Sequence, residues 1–484
     1  MMRFESARAF LGRFYLLGST LFVILCALWS APVPLMSLVD TRARPFVQTP
    51  IAEFPIPFPL WGQSPSVPRE TKTDDDSVRI SDGLALKPTF ASTFGYWTGS
   101  WAGSELGPPT PFGPYFRPLT SQLWWLERHF GGPNSLRLFL FVHLLWHLAF
   151  MLALWAFMRL WWSDKGALLF IWIWTIGASY SLNAYMTPFG ALRMWKDDPE
   201  ITVALCTVAA MATTRCFVLT NRKRWLALSL AAFVLSLSFK ESGYVIPFFV
   251  AFTLWRFGAT KKQWGIVPLF VAVAIVAFVY RIWALQGMGG YHGSNGSWWR
   301  RAINELGGGT ISAASWSGNT MPLCVAAFLL CIFEGLRARR KIALFWASVS
   351  IASCVWAESW MSERGLALLQ LFDFSFKNPI YIALGSTLAT LLLWQLFVLR
   401  RPRVMLWGYL WVLLAYLPLL KQAVTDHGFY FLSIGWALWI AGAVALIYSQ
   451  AQQLIRSEKV KTALHETYSR INTLVRRPKT SGTA

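Results

Sequence analysis

Apolar segments of membrane-spanning length recur along the whole of this 484-residue chain. A helix needs roughly 20 apolar residues to cross the hydrocarbon core of a bilayer, and on that basis we predict about twelve spans. Their approximate ranges are 14–31, 137–161, 167–185, 200–219, 225–239, 242–256, 265–284, 317–336, 341–358, 379–398, 404–420 and 428–449. Only 14% of the residues are charged, against about 25% in soluble domains. The sequence therefore predicts an all-α, polytopic integral membrane protein.

Basic residues cluster in every second loop of this arrangement. The clusters lie at Lys165, 222–224, 261–262, 337–341, 400–403 and 476–479. Cytoplasmic loops carry an excess of Lys and Arg, so we expect these loops and both termini to be cytoplasmic. The net charge of +21 then reflects topology and contact with anionic membrane lipids, and it does not indicate a nucleic-acid partner.

Four regions follow from this topology. Residues 1–31 form an N-terminal anchor helix, which we expect to be retained because prolines follow it in place of a small-residue cleavage site. Residues 32–135 form a long extracytoplasmic loop rich in proline, glycine and aromatic residues. Residues 136–449 form the multi-span transmembrane domain. Residues 450–484 form a basic, amphipathic cytoplasmic tail.

Cysteine and histidine patterns favour packing over metal chemistry. All six cysteines fall in apolar stretches without a CxxC pair, which is typical of small core residues. His143 and His147 lie one helical turn apart on one face, but no third metal ligand is evident. We therefore predict no metal site and no cofactor, and we expect both histidines to pack and hydrogen-bond inside the bundle.

The pair Lys240–Glu241 separates the two shortest apolar segments, 225–239 and 242–256. Charges within a membrane domain are costly unless they face water, a partner or a ligand. We therefore treat the pair as a candidate functional site. A purely structural reading stays open, in which each charge pairs with the other or with a neighbouring helix.

Most ionisable residues near span ends fall on the predicted outer face. A sugar donor linked to a lipid phosphate brings its leaving phosphate to the headgroup level, where Arg and Lys stabilise developing charge. A carboxylate can take the proton from an acceptor hydroxyl as general base. The residues alone support a polar site on the outer face.

Four segments resemble motifs of the GT-C fold glycosyltransferases, most closely the protein O-mannosyltransferase-like and TMTC-like branch. The first is PYFRPLTSQLWWLERHFGGPNSLRLFLFVHLLWHLAFMLALWAFMRLW. It is similar to the second-span region of that family, where Arg117 matches the end of the loop and His147 matches the helix histidine. His143 stands where the family often has Asn.

The other motifs follow in the order of the family. MTPFGALRMWKDDPEITVALC resembles the segment before the fourth span, with Arg193, Lys196 and Asp197 at the matching positions. FVLSLSFKESGYVIPFFV aligns Lys240 and Glu241 directly with a Lys-Glu pair. LLAYLPLLKQAVTDHGFYFLSIGWALWIAG resembles the last motif, with His427 in place of the usual Arg.

The resemblance also points to a catalytic acid in the first outer loop. In ISDGLALKPTFASTFGYWTGSW, Asp82 matches the second acid of the family's acidic pair, and Ser81 replaces the first. It implies that Asp82 is the acceptor base, with Asp197 as a second catalytic candidate. Asp74 to Asp76 compete for the role, and Asp82 as a solvated or capping residue stays open.

The implied function is transfer of a sugar from a polyprenyl-phosphate donor to an acceptor (protein, lipid or glycan) at the outer face of a bacterial cytoplasmic membrane. Residues implied to bind donor phosphate or substrate are Arg117, Arg193, Lys240, Glu241, Arg300 and His427. Arg117 and Arg300 have an alternative role as anchors at the lipid headgroups, and Asp197 as a helix cap. The alternative function is a non-catalytic GT-C-like membrane protein or a lipid or glycan transporter.

Overall fold

The architecture is known from a computed structural model. The structure describes residues 2–30, 80, 83–102, 115–131, 136–179, 198–287 and 403–416, with single positions between 434 and 452. This part of the chain is 88% helical and contains no strand. The all-α class predicted from sequence is therefore confirmed for these residues.

Ten α-helices are bounded within the described residues. They are α1 (Met2–Ser30), α2 (Pro118–Gly131), α3 (Leu136–Trp161), α4 (Asp164–Ser179), α5 (Asp198–Thr220), α6 (Lys223–Phe239), α7 (Ile246–Arg256), α8 (Lys261–Trp264), α9 (Ile266–Leu285) and α10 (Arg403–Tyr416). Two 3-10 helices, Ala91–Trp97 and Glu241–Val245, complete the set.

Three helical segments of the described chain are long and apolar enough to cross a membrane, namely Phe141–Trp161, Pro199–Thr220 and Lys261–Leu285. Helix α7 has 11 residues, which gives it a length of about 16 Å at 1.5 Å per residue. That is about half of a 30 Å hydrocarbon core, as expected for the short sixth segment. Predicted spans 317–336, 341–358 and 379–398 lie outside the described residues.

The main core joins the N-terminal helix to the rest of the bundle. Helix α1 packs on α3 and α4, where Val23 and Ala27 are fully buried. Ser30 Oγ and His147 Nε2 share a hydrogen bond of 2.8 Å, and His143 is also fully buried. The predicted packing role of His147 is confirmed, since its ring nitrogen meets a polar partner inside the bundle.

Aromatic rings and small polar groups fix the remaining helix contacts. The rings of Trp161 and Trp407 meet edge to face at 4.6 Å, which joins α3 to α10. Between α5 and α6, Thr214 Oγ1 lies 2.9 Å from Ser229 Oγ. Ser229 also donates to the carbonyl of Ala210 at 3.0 Å. Such hydroxyl contacts join apolar helices where burial in lipid gives little driving force.

The long outer loop contains a helix that the sequence did not reveal. We expected residues 32–135 to form a long loop, but this region includes α2, a regular helix of 14 residues that starts at Pro118. Proline suits the first position of a helix. The buried residues of α2 include Thr120, Ser121 and Gln122 as well as Trp124 and Trp125, so polar side chains interrupt the apolar pattern by which helices are recognised.

Candidate functional site

A break in the bundle places two charges at one of its ends. Helix α6 stops at Phe239, and Lys240 adopts an extended conformation with φ −160° and ψ 154°. The 3-10 helix Glu241–Val245 follows, and α7 begins with Pro247 in its first turn. The chain turns back closely here, because a Cβ on Gly243 would lie 2.3 Å from Ser236 Oγ and 3.0 Å from the backbone carbon of Ser236. A side chain at this position would force Ser236 to shift.

Glu241 pairs with an arginine from the outer loop, 124 residues away in sequence. Arg117 donates from Nε and Nη2 to Glu241 Oε2, at 3.1 and 3.0 Å. Their side chains are only 7% and 15% exposed. On the other side, Arg281 Nη2 of α9 lies 3.7 Å from Glu241 Oε1. One carboxylate is therefore held between two cations from separate parts of the chain.

Lys240 forms an ion pair with a residue of a different helix, α5. Its ammonium donates to Oε1 of Glu200, in the first turn of α5, and both side chains are largely buried. The adjacent charges Lys240 and Glu241 thus do not serve as each other's main partners. Each binds a helix or loop that is distant in sequence, and together they connect four segments. We call Arg117, Glu200, Lys240, Glu241 and Arg281 the ionic cluster.

Helix α2 holds Arg117 in position. Thr120 Oγ1 donates to the carbonyl of Phe239 at 2.8 Å, which ties α2 to the last residue of α6. The Arg117 guanidinium lies 4.2 Å from the centre of the Tyr115 ring and 5.2 Å from that of Trp101. Cation–π contacts of this kind hold a guanidinium in a site with little water. The polar face of α2 thus orders the loop end that carries the arginine.

The electrostatics of the ionic cluster keep Glu241 ionised. Burial by itself raises the pKa of a carboxyl group. Arg117 and Arg281 outweigh that effect, so the pKa of Glu241 lies below its usual range. The described members of the cluster are three cations and two carboxylates, so an excess of one positive charge remains. The arrangement is suited to attracting an anionic group.

The lowered pKa predicts how stability depends on pH. A depressed carboxyl pKa gives stability that is complete above the unfolded value, about 4.3 for Glu, and that is lost as pH falls through the folded value. We expect the melting-temperature difference between wild type and Glu241→Gln to stay constant from neutral pH to about pH 5 and to shrink at lower pH. Thermal unfolding in detergent across this range tests it. A difference that grows on acidification would contradict the assigned pairing.

Three residues predicted for the site are brought together, namely Arg117, Lys240 and Glu241. Asp82, Asp197, Arg193, Arg300 and His427 lie outside the described residues, as do the competing acids Asp74 to Asp76. The roles predicted for these residues remain predictions.

The sequence analysis did not place Glu200 and Arg281 in the site. Both residues lie near a helix end on the predicted outer face, and this position is the sequence feature that points to a role in the site. Their partners depend on how α5 and α9 pack, so they could not be predicted from the sequence.

Among the described residues, no group of three His, Cys, Asp or Glu side chains is arranged to hold a metal ion. The chemistry available at the ionic cluster is charge pairing and hydrogen bonding. Guanidinium and ammonium groups can bind phosphate oxygens.

Comparisons with protein-family models, curated proteins and solved structures find no match to this chain. The described part of the chain defines a class: its secondary structure is helical, and three of its helices are long and apolar enough to cross a membrane. A buried ionic cluster lies at one end of its bundle.

Proposed function

We propose that the protein is a membrane glycosyltransferase that uses a polyprenyl-phosphate sugar donor at the outer membrane face. The observation that carries the proposal is the convergence of the ionic cluster. Arg117, Lys240 and Arg281 come from the outer loop, the α6–α7 break and α9, and they meet at one end of the bundle.

The location of the ionic cluster suits a lipid-phosphate ligand. Helices α5, α6 and α9 all have an end at the cluster. The basic residues 222–224, at the start of α6, and 261–262, in α8, lie at the opposite ends of these helices. Under the positive-inside rule, the proposal has these basic residues in the cytoplasm and the cluster on the outer face. A polyprenyl chain in the bilayer would present its phosphate at the same level.

In the proposed reaction, the acceptor oxygen bonds to the anomeric carbon of the sugar as the bond between the sugar and its phosphate breaks, and the cations stabilise the leaving phosphate. A carboxylate takes the proton of the acceptor hydroxyl, and Asp82 is our candidate for that base. Glu241 is a positioning residue, because its carboxylate holds Arg117 and Arg281 side by side. We also propose that the donor phosphate or substrate is bound by Arg193, Arg300 and His427.

The alternative is a non-catalytic membrane protein or a lipid or glycan transporter. One observation favours it: Arg117 and Lys240 are already paired with carboxylates. Buried ion pairs also serve to fix the arrangement of helices. On this reading the ionic cluster holds the bundle together and binds no donor.

Ligand-induced stabilisation tests whether the ionic cluster binds a lipid phosphate. We expect undecaprenyl phosphate to raise the melting temperature of the purified protein, because binding to the folded state stabilises it. Undecaprenol, the matched lipid without phosphate, should have no such effect. The shift should be reduced in Arg281→Gln and retained in Lys165→Gln, an exposed lysine at the opposite end. Equal shifts with both lipids would contradict a phosphate site.

Catalysis requires a separate assay with labelled polyprenyl-phosphate sugars in nanodiscs. We expect wild-type protein to release the sugar from one donor of such a panel, and Asp82→Asn to bind undecaprenyl phosphate but to lose turnover. Removal of a general base typically lowers the rate by about 10²–10⁴-fold. Full turnover by Asp82→Asn would show that the base is another residue. Absence of turnover with every donor would refute the proposed enzymatic function.

A further inference from the structure

Aromatic rings from the outer loop form a continuous row on the protein surface. The Phe90 ring lies 5.7 Å from that of Phe94 and 5.9 Å from that of Trp125. Trp125 stacks on His129 at 4.8 Å, and His129 meets Phe130 at 5.4 Å. We call Phe90, Phe94, Trp125, His129 and Phe130 the aromatic strip.

Both ends of the strip are exposed. Phe94 is 57% exposed and Phe130 is 76% exposed within the described part of the chain, and Leu86, four residues before Phe90, is also exposed. These three side chains have no hydrogen-bonding group. A ligand site of the usual kind combines an apolar surface with a few polar groups that orient the ligand. The exposed ends of the strip therefore favour an apolar environment over a polar ligand such as a sugar.

The aromatic strip is built on a rigid support. Trp125 Nε1 donates to the carbonyl of Lys87 at 2.7 Å, which fixes the central ring. Gln122 of α2 donates to Thr93 Oγ1 at 3.2 Å and accepts from Trp97 Nε1 at 3.1 Å. These bonds hold α2 and the 3-10 helix Ala91–Trp97 together. The rings are thus presented in a fixed arrangement.

The segments that support the strip, α2 and Ala91–Trp97, are hydrogen-bonded to α9, a helix with an apolar exposed surface. Tyr280 of α9 donates from its hydroxyl to the carbonyl of Trp97 at 2.8 Å. Its ring meets those of Phe116 and Trp283. Exposed apolar side chains, including Val276, cover α9, so its outward surface matches the acyl chains of lipid. Tyr280 and Trp283 at the end of α9 mark the level of an interfacial aromatic belt.

We infer that the aromatic strip docks into the outer leaflet at the membrane–water interface and anchors the first loop beside the ionic cluster. The bonds of Trp97 to Gln122 and Tyr280 join the support of the strip to the aromatic belt of α9. Aromatic side chains are favoured in that zone. Lys87 precedes Phe90 and Arg128 precedes His129 in sequence, and basic side chains at the interface can meet lipid phosphates. The inference concerns the loop's membrane contact and does not depend on the proposed transfer reaction.

Depth-dependent quenching of a fluorescent probe tests the docking. Phe94→Cys and Phe130→Cys in the full chain are labelled with an environment-sensitive dye and reconstituted in nanodiscs of zwitterionic and anionic phospholipid. Labelled wild type gives the background from the native cysteines. Val276→Cys, in the middle of α9, is the lipid-facing control. Lys262→Cys, an exposed residue of the short basic helix α8 at the opposite end of α9, is the water-facing control.

We expect lipids brominated near the headgroup end of the acyl chain to quench both strip probes several-fold more than aqueous iodide does. The probe at Lys262 should show the reverse order. Quenching of the strip probes by iodide alone would overturn the inference, because the strip would then face water. Absence of quenching by either agent would overturn it too, since the chain itself would cover the strip. Protection from iodide by a soluble oligosaccharide would instead identify a glycan surface.

Discussion

Replacing Glu241 by Gln is expected to destabilise the protein by about 3–5 kcal/mol, the range for breaking a buried ion pair on one side. The variant keeps the shape of the side chain but removes its charge. Arg117 and Arg281 are then left beside each other without the carboxylate that separates them. Thermal and denaturant unfolding in detergent micelles would measure the loss.

An exposed ion pair in the same protein supplies the control. Arg159 Nε and Asp164 Oδ1 are 2.6 Å apart, but their side chains are 32% and 43% exposed. Exposed pairs contribute about 0–1 kcal/mol, so Asp164→Asn should change stability little. The double variant Arg117→Met, Glu241→Gln should recover part of the loss, because one unpaired cation is gone. Equal effects of Glu241→Gln and Asp164→Asn would show that water screens the ionic cluster.

Replacing Gly408 by Ala is expected to cost about 1–3 kcal/mol through overpacking, although alanine is the better helix former. A Cβ at this position of α10 would lie 2.4 Å from the carbonyl oxygen of Gly435 and 2.7 Å from the backbone nitrogen of Trp439. Both contacts are to backbone atoms, so no side-chain rotation relieves them. The helices would have to move apart, and the packing of Trp411 and Trp439 would loosen.

Gly18 of α1 is the matched control for Gly408. It is also a helical glycine, but a Cβ there would meet no atom within 4 Å. Gly18→Ala should therefore be neutral, or stabilising by up to about 1 kcal/mol from helix propensity. Melting temperatures of the two variants, measured side by side, isolate the steric effect. A neutral Gly408→Ala would mean that the two backbones are not in close contact.

Three members of the ionic cluster could be anticipated because local sequence places charges at helix ends. Lys240 and Glu241 interrupt an apolar pattern, and Arg117 precedes a proline, so each was recognisable alone. Their partners were not, because the Lys240–Glu200 and Arg117–Glu241 contacts span 40 and 124 residues. Helix α2 was missed for a related reason. Several of its buried residues are polar, and Thr120 finds its partner in the distant carbonyl of Phe239.

The sequence by itself determined that the chain is helical, that several helices suit a membrane and where the α6–α7 break falls. These features follow from hydropathy and from charge positions along the chain, which are local properties. The tertiary structure alone decided that Glu241 lies between Arg117 and Arg281, and that Lys240 turns away to Glu200. Pairing of buried charges depends on which helix ends meet in space, and that is fixed by packing between segments far apart in the chain.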